Sequence, residues 1–509
     1  MTTAQLCILI SISIYLAMML AVGFICSKNN NTTDDFYLGG RKLGPFVTAM
    51  SAEASDMSSW LLMGLPGVAY LSGICDAGWT AIGLAAGTYL NWLFVAKRIR
   101  RYSHIAGNSI TIPDFFSNRY RDKSRLLMLF SALIILIFFI PYTASGFAAC
   151  GKLFASLFGI HYGTAMIISA LVIVAYTTMG GFLAASTTDF IQSIVMTIAL
   201  VIVLFFGTHM AGGFEQVMEN AKSLPGYLSM FFTYQKETGA ASPYGAITII
   251  STMAWGLGYF GMPHILLRFM AIEEEEKLTL SRRIATVWVV ISLAIGVVIG
   301  VIGLGMTKAG TMVELTGSNS ETIVVRVADL LSHFGVLPAL VAGVILAGIL
   351  ACTMSTSDSQ LLAAASGVSQ NIFKGVMKIN MSEKAMIITA RVTVLIISLI
   401  AMFIARNPDS SVFAIVSFAW AGFGASFGPV VICALFWKRS NRNGALAGMI
   451  TGGVVVFVWK YLVRPLGGAW DIYELLPAFA ASCIVIAVVS LATAPPEQEI
   501  MDEFERARG

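Results

Sequence analysis

Charge is scarce in this sequence. Only 12% of its 509 residues are Asp, Glu, Lys or Arg, about half the roughly 25% of an ordinary soluble chain. A soluble protein this size could not cover its surface with so few charges, and a disordered chain would carry more of them. Histidine and cysteine are also rare, at 5 and 7. With no HExxH and no CxxC pair, neither a zinc site nor a disulfide framework is indicated, and the scattered cysteines read as small apolar filler. The net charge is only +4 and no basic run interleaves with aromatics, which excludes a nucleic-acid partner. No Walker motif, nucleophile–base pair or ring of polar pore residues is present. The chain is therefore expected to be no enzyme, to have no catalytic residue and to use no organic cofactor.

Apolar residues fill the space that charge leaves. The set AVILMFWYC makes up 57% and glycine adds 47 residues, so the expected class is an all-α integral membrane protein with the lipid bilayer as solvent. At about 20 apolar residues per crossing, thirteen segments are long enough: 5–27, 44–73, 78–97, 125–158, 162–179, 187–212, 244–270, 284–306, 336–366, 385–405, 411–437, 444–463 and 474–493. They are numbered one to thirteen below. The first has no basic residue before it and exceeds a signal-peptide core, so it is expected to remain as a membrane helix. Of the 32 Lys and Arg residues, 24 fall in one set of alternate loops, from Lys28 onward and including Arg268, and 8 in the other. That bias places the N-terminus outside and the C-terminus in the cytoplasm, with a multi-pass protein in the plasma membrane. The acidic run Glu273–Glu276 beside Arg282 and Arg283 reads as a solvated, locally paired face. Short helices are allowed for in the long external loops 213–243 and 307–335, and no soluble domain is expected after Ala494.

Two segments are poor helices. Segment two contains Gly64-Leu65-Pro66-Gly67, and segment seven contains Gly256-Leu257-Gly258 and Gly261-Met262-Pro263-His264. Glycine and proline free backbone groups that lipid cannot satisfy, so such stretches must line a cavity or be buried in protein. Segments two and seven lie five helices apart and therefore run in opposite directions. Interrupted helices at matching places in inverted halves point to a transporter's midplane site. No internal repeat is visible letter by letter, so this rests on segment order. Segment two also carries Glu53 and Asp56 at membrane depth, where a carboxylate is a functional candidate by default. Asp56 is expected close to the midplane, and Glu53 nearer the cytoplasmic end, where a wet vestibule would also accommodate it. The run from Cys352 to Ser359 on segment nine is rich in hydroxyls. It suits a small monovalent cation, although Ser and Thr also bond back to their own helix.

At these residues the chain closely resembles the solute:sodium symporter family, in its proline-carrying branch. The resemblance spans nearly the whole chain and rests on an ordered set of motifs. They are Leu38-Gly39-Gly40-Arg41, Ala54-Ser55-Asp56-Met57-Ser58, Trp60 through Gly67, Gly180-Gly181-Phe182-Leu183-Ala184, Trp255 through Gly261, Ala419-Trp420-Ala421-Gly422-Phe423-Gly424, and Trp437-Lys438-Arg439 to Gly448.

The resemblance implies a LeuT-type core of ten helices in two inverted repeats, about 44–212 and 244–437 within a core of 44–437. It adds a peripheral helix and loop at 1–43, two peripheral helices in 438–493 and a tail at 494–509. It also implies a sodium site made by the carbonyls of Ala54, Met57 and Cys352 and the hydroxyls of Ser355 and Thr356. Asp56, Ser58, Asp189 and Arg41 are implied in ion coupling, with Asp189 on the inward exit and Arg41 on the cytoplasmic side. For L-proline it points to Trp60, Gly64, Tyr142, Trp255, Tyr259 and Pro263, whose rings suit a pyrrolidine and its ammonium. Glu53 and Ser59, where the family pattern has glycine, and Met262, where it has a polar amide, depart from it. The expected function is import of L-proline with sodium, one to one, by alternating access. A sodium symporter for another amino acid, a sugar or a carboxylate is the alternative, and a transporter-like membrane sensor a more remote one.

Overall fold

The computed structural model describes residues 2–27 and 32–508; Lys28, one of the cations counted above, lies outside them. A helix stands at every one of the thirteen expected segments. Nine helices among the described residues are each long and apolar enough to cross a membrane. The other four segments are interrupted or short for physical reasons. Segments five and six form one helical run, Tyr162–Met210, folded at Gly181, whose φ of 65° only glycine adopts readily. Segment three, Ile74–Leu90, passes through the π-turn Asn91–Val95 into the basic helix Ala96–Ile105.

Segment seven breaks where expected. The helix Ala246–Met253 tightens into a 3₁₀ stretch, Ala254–Gly261, turns extended at Met262 (φ −77°, ψ 110°) and restarts at Pro263. Gly256 lies against Gly83 and Gly87 of segment three so closely that none of the three has room for a Cβ.

Segment two breaks earlier than its glycines and proline suggest. Pro45–Asp56 ends at Met57 (ψ 66°), the chain unwinds through Ser58, and the π-turn Trp60–Gly64 leads into Leu65–Ser72. Gly64 itself is helical (φ −66°, ψ −52°). Pro66 sits in the first turn of the new helix, where its missing N–H leaves no bond unmade. The break therefore falls next to Asp56, not eight residues beyond it.

The long loops at 213–243 and 307–335 hold the helices Phe214–Lys222 and Ile323–Ser332, the 3₁₀ turn Gly317–Thr322 and a hairpin that pairs Phe232–Gln235 with Ala240–Pro243. On this long-loop face, the Glu321 carboxylate accepts from Ser411 Oγ and from the N–H groups of Val412 and Phe413 at the start of Val412–Phe436, segment eleven. Lys152 of segment four pairs with the same carboxylate at 2.8 Å, both side chains buried.

On the opposite, basic face three of the four residues of the acidic run are paired and, among the described residues, none with Arg282 or Arg283. Glu275 meets Arg101 at 2.6 Å, and Lys277 bridges Glu273 and Glu274. The Arg101 guanidinium holds the Glu275 carboxyl below its usual range. The terminal helix Gln498–Arg508 packs Phe504 against Tyr102 and pairs Glu503 with Arg121.

Candidate functional site

The unwound stretch of segment two sets the geometry. In a continuous helix the Ala54 carbonyl would accept from the N–H of Ser58. That N–H instead donates to the Asp56 carbonyl at 2.7 Å. Ser355 of segment nine (Val336–Ser366) takes the vacated acceptor, with its Oγ 2.8 Å from Ala54 O and 3.1 Å from Cys352 O. Thr356 Oγ1 is buried with no hydrogen-bond partner. Of the five expected sodium ligands, Ser355 thus joins Ala54 and Cys352. Thr356 follows in the same turn, and Met57 carries its carbonyl in the unwound stretch. Ser357 faces Gly146 of segment four instead.

One turn away, three of the six expected substrate residues, Tyr259, Tyr142 and Trp60, converge on Asp56. The Tyr259 hydroxyl donates to Asp56 Oδ2. Tyr142 Oη and Trp60 Nε1 reach the Asp56 carbonyl at 3.3 and 3.4 Å. Trp255 stands with its ring 6.1 Å from Trp60, and its carbonyl accepts from Trp420 Nε1 at 2.7 Å. Pro263 opens the inner half of segment seven, and Gly64 lets its helix approach Phe413. Trp60, Tyr142, Trp255 and Tyr259 are all less than 5% exposed. Three aromatics not assigned to the site from the sequence complete this wall. Trp420 lies edge-on to Tyr259 at 5.1 Å, and Phe413 and Tyr473 lie 5.3 and 5.2 Å from Trp255. Only Trp420 carried a signal, the Ala419–Gly424 motif.

Asp189 of segment six lies in a polar cluster with Arg268, whose charge the sequence reading placed in a cytoplasmic loop. Arg268 belongs to Pro263–Ala271 and is 1% exposed. Its Nη2 lies 3.1 Å from Asp189 Oδ2 and 2.5 Å from Ser359 Oγ, and its Nη1 donates to His264 O. Ser51 Oγ bridges the pair, 2.7 Å from Asp189 Oδ2 and 3.0 Å from Arg268 Nε. Glu53 is fully buried rather than in a wet vestibule. Ser58 supports the break, its Oγ 3.4 Å from the Trp60 N–H.

Arg41 stands apart from these residues. On the basic face its guanidinium donates to Met270 O at 2.6 Å and Ser109 O at 2.8 Å, tying the end of segment seven's inner half to the loop after Ala96–Ile105. Burial and the neighbouring Arg100 push its pKa down to about 10, which leaves it charged near neutral pH.

A family model described as the Sodium:solute symporter family matches residues 36–452. A "Sodium/proline symporter" of Haemophilus influenzae is 43% identical, covering 98% of this chain and 97% of its own. The "High-affinity proline transporter PutP" of Bacillus subtilis is also 43% identical, over 96% of this chain and 98% of its own. Among solved structures, a substrate-bound, outward-open Na+-coupled sialic acid symporter superposes with a TM-score of 0.78 at 19% identity, covering 97% of this chain and 99% of that one. MhsT in complex with L-phenylalanine gives 0.52 at 12% identity, over 88% and 98%. At these identities the structural likeness is one of fold.

Proposed function

The chain belongs to the sodium:solute symporter family, and from that premise we propose that it imports L-proline together with sodium by alternating access. Transport needs no covalent step, and sodium is both cargo and driving ion. One observation carries the placement of the sites: the break at Met57–Ser58 sets the Ala54 carbonyl against the Ser355 hydroxyl while aromatic side chains gather on Asp56 beside it.

Neutral carbonyl and hydroxyl oxygens from Ala54, Met57, Cys352, Ser355 and Thr356 suit a single sodium ion. The rings of Trp60, Tyr142, Trp255 and Tyr259 bury the pyrrolidine at about 25 cal/mol per Å² of apolar area, with Gly64 and Pro263 shaping the backbone around it. The proline carboxylate is served by freed N–H groups at a half-helix start, and its ammonium by Asp56 or a ring face. The basic face is cytoplasmic and the long-loop face external. Residues 44–437 form the transporting core, with repeats at about 44–212 and 244–437. Asp189 and Arg41 act on the inward side, Asp189 through Arg268 and Arg41 through the end of segment seven.

Competition of unlabelled solutes against labelled proline, in proteoliposomes with an imposed sodium gradient, tests this reading. Proline is expected to compete best. If another amino acid, a sugar or a carboxylate displaced the label more strongly, the buried Met262 beside the aromatic wall would be the first place to look for the change of preference.

A further inference from the structure

The basic face holds a cavity that the transport reading leaves unused. It lies where the start of segment four, Leu126–Phe158, meets the π-helical end of segment nine, Gly367–Val376. Met128 presses on Gly375 so closely that a Cβ there would have no room. The cavity measures about 620 Å³ and is lined by Arg121, Lys123, Arg125, Lys374 and Lys378.

Two carboxylates line it too, and both are engaged. Asp122 accepts from Arg442 Nε at 2.8 Å and from the Leu127 N–H at 2.7 Å. Asp114 lies near enough to Lys374 to feel its charge, but it accepts from Asn371 Nδ2 at 2.8 Å. The terminal helix supplies partners for two of the cations. Glu499 and Glu503 pair with Arg121, and Glu497 stands 3.9 Å from Lys123. Among the described residues, Arg125, Lys374 and Lys378 have no ion-pair partner.

The backbone is held in an unusual conformation around this cavity. Among the described residues, five that are not glycine have a left-handed φ, and three of them line it: Arg121 at 48°, Arg125 at 60° and Lys378 at 56°. Side chains seldom adopt that conformation, which persists where the surroundings impose it and clusters at ligand sites. The surface beside the cavity is apolar. Leu126, Leu133 and Ile137 are exposed along one side of segment four, and Met377 and Ile379 are exposed on either side of Lys378.

We propose that the cavity binds the headgroup of an anionic phospholipid, with Arg125, Lys374 and Lys378 on the phosphate and the acyl chains along Leu126, Leu133 and Met377. Guanidinium and ammonium groups suit phosphate oxygens, and basic pockets between helices at the membrane surface collect such headgroups. A free phosphate would use the cations alone; the exposed apolar flank fits a lipid. The bound headgroup bridges the start of segment four and the end of segment nine, the segment that carries Ser355 and Thr356. This inference does not depend on which solute the chain carries.

The test offers the purified full chain in detergent an equimolar mixture of phosphatidylglycerol and phosphatidylcholine with identical acyl chains. Native mass spectrometry then counts the lipid retained. Phosphatidylglycerol is expected to be retained in preference by at least about tenfold, and Arg125→Asn should lower that preference about fivefold. The double variant Lys374→Gln, Lys378→Asn should lower it by at least as much. Asparagine tolerates the left-handed backbone, and Lys374 and Lys378 are exposed, so the double variant decides the matter if Arg125→Asn does not fold. Arg283→Gln, which removes an exposed cation elsewhere on the basic face, should leave the preference unchanged. The proposal is overturned if the wild type shows no preference, if the preference survives in the double variant, or if Arg283→Gln lowers it equally. Displacement of the lipid by millimolar inorganic phosphate would also overturn it, because the cavity would then hold a free anion.

Discussion

Arg268 and Asp189 form an ion pair sealed from solvent, with Nη2 3.1 Å from Oδ2. The pair joins the inner half of segment seven to segment six, and Ser51 ties segment two to both. Segments two and seven cannot move against segment six without disturbing it. A buried pair contributes little net stability, but removing one partner strands the other at about 3–5 kcal/mol. Arg268→Gln and Asp189→Asn should each lower the thermal unfolding temperature in detergent. The double variant should lose clearly less than the sum of the two, and strict additivity would show that the residues are not coupled.

The hydroxyl site makes a different prediction. Ser355→Ala and Thr356→Ala each remove one oxygen that a buried ion cannot replace without admitting water. Each should raise the sodium concentration for half-maximal uptake at least tenfold, about 1.4 kcal/mol. Ser357→Ala serves as the control, because Ser357 faces Gly146 and not segment two. Equal sensitivity at all three positions would point to helix packing instead of ion binding.

The aromatic wall should govern proline and not sodium. Trp255→Ala removes a ring that packs on Trp60, Phe413 and Tyr473. Tyr259→Phe keeps the ring but takes the hydroxyl from Asp56. Both should raise half-saturating proline at saturating sodium, Trp255→Ala by at least tenfold. Unchanged apparent affinity in both would mean that the substrate binds elsewhere.

On the long-loop face, Glu321 caps the start of segment eleven while paired with Lys152. Glu321→Ala should destabilise by about 3–5 kcal/mol because it leaves a buried lysine unpaired and two N–H groups uncapped. Lys152→Met with Glu321→Gln, which removes both charges and keeps an acceptor, should recover much of that loss in the same unfolding assay.

Much of this was legible in the sequence. Hydropathy placed a helix at each of the thirteen segments, because lipid forces a spanning segment to satisfy its own backbone. The break in segment seven was legible because Gly261 and Pro263 bracket it. The break in segment two was misplaced onto Gly64 and Pro66. A proline in the first turn of a helix costs nothing, and unwinding at Met57 is decided by distant partners such as Ser355. Arg268 was read as a loop charge because it stands at the end of an apolar run. Its burial follows from Asp189, nearly eighty residues earlier in the chain. Phe413 and Tyr473 reach the site from segment eleven and from the approach to segment thirteen, and no local pattern marks them.

The most direct test of the account is uptake of labelled proline by the purified protein in proteoliposomes, with sodium gradient and membrane potential set independently. Uptake should require external sodium and rise with an inside-negative potential. At about 2.3 kcal/mol per charge per 100 mV, one entering charge raises the accumulation limit roughly 50-fold per 100 mV. Proline uptake driven equally well by a proton gradient in sodium-free buffer would contradict the account.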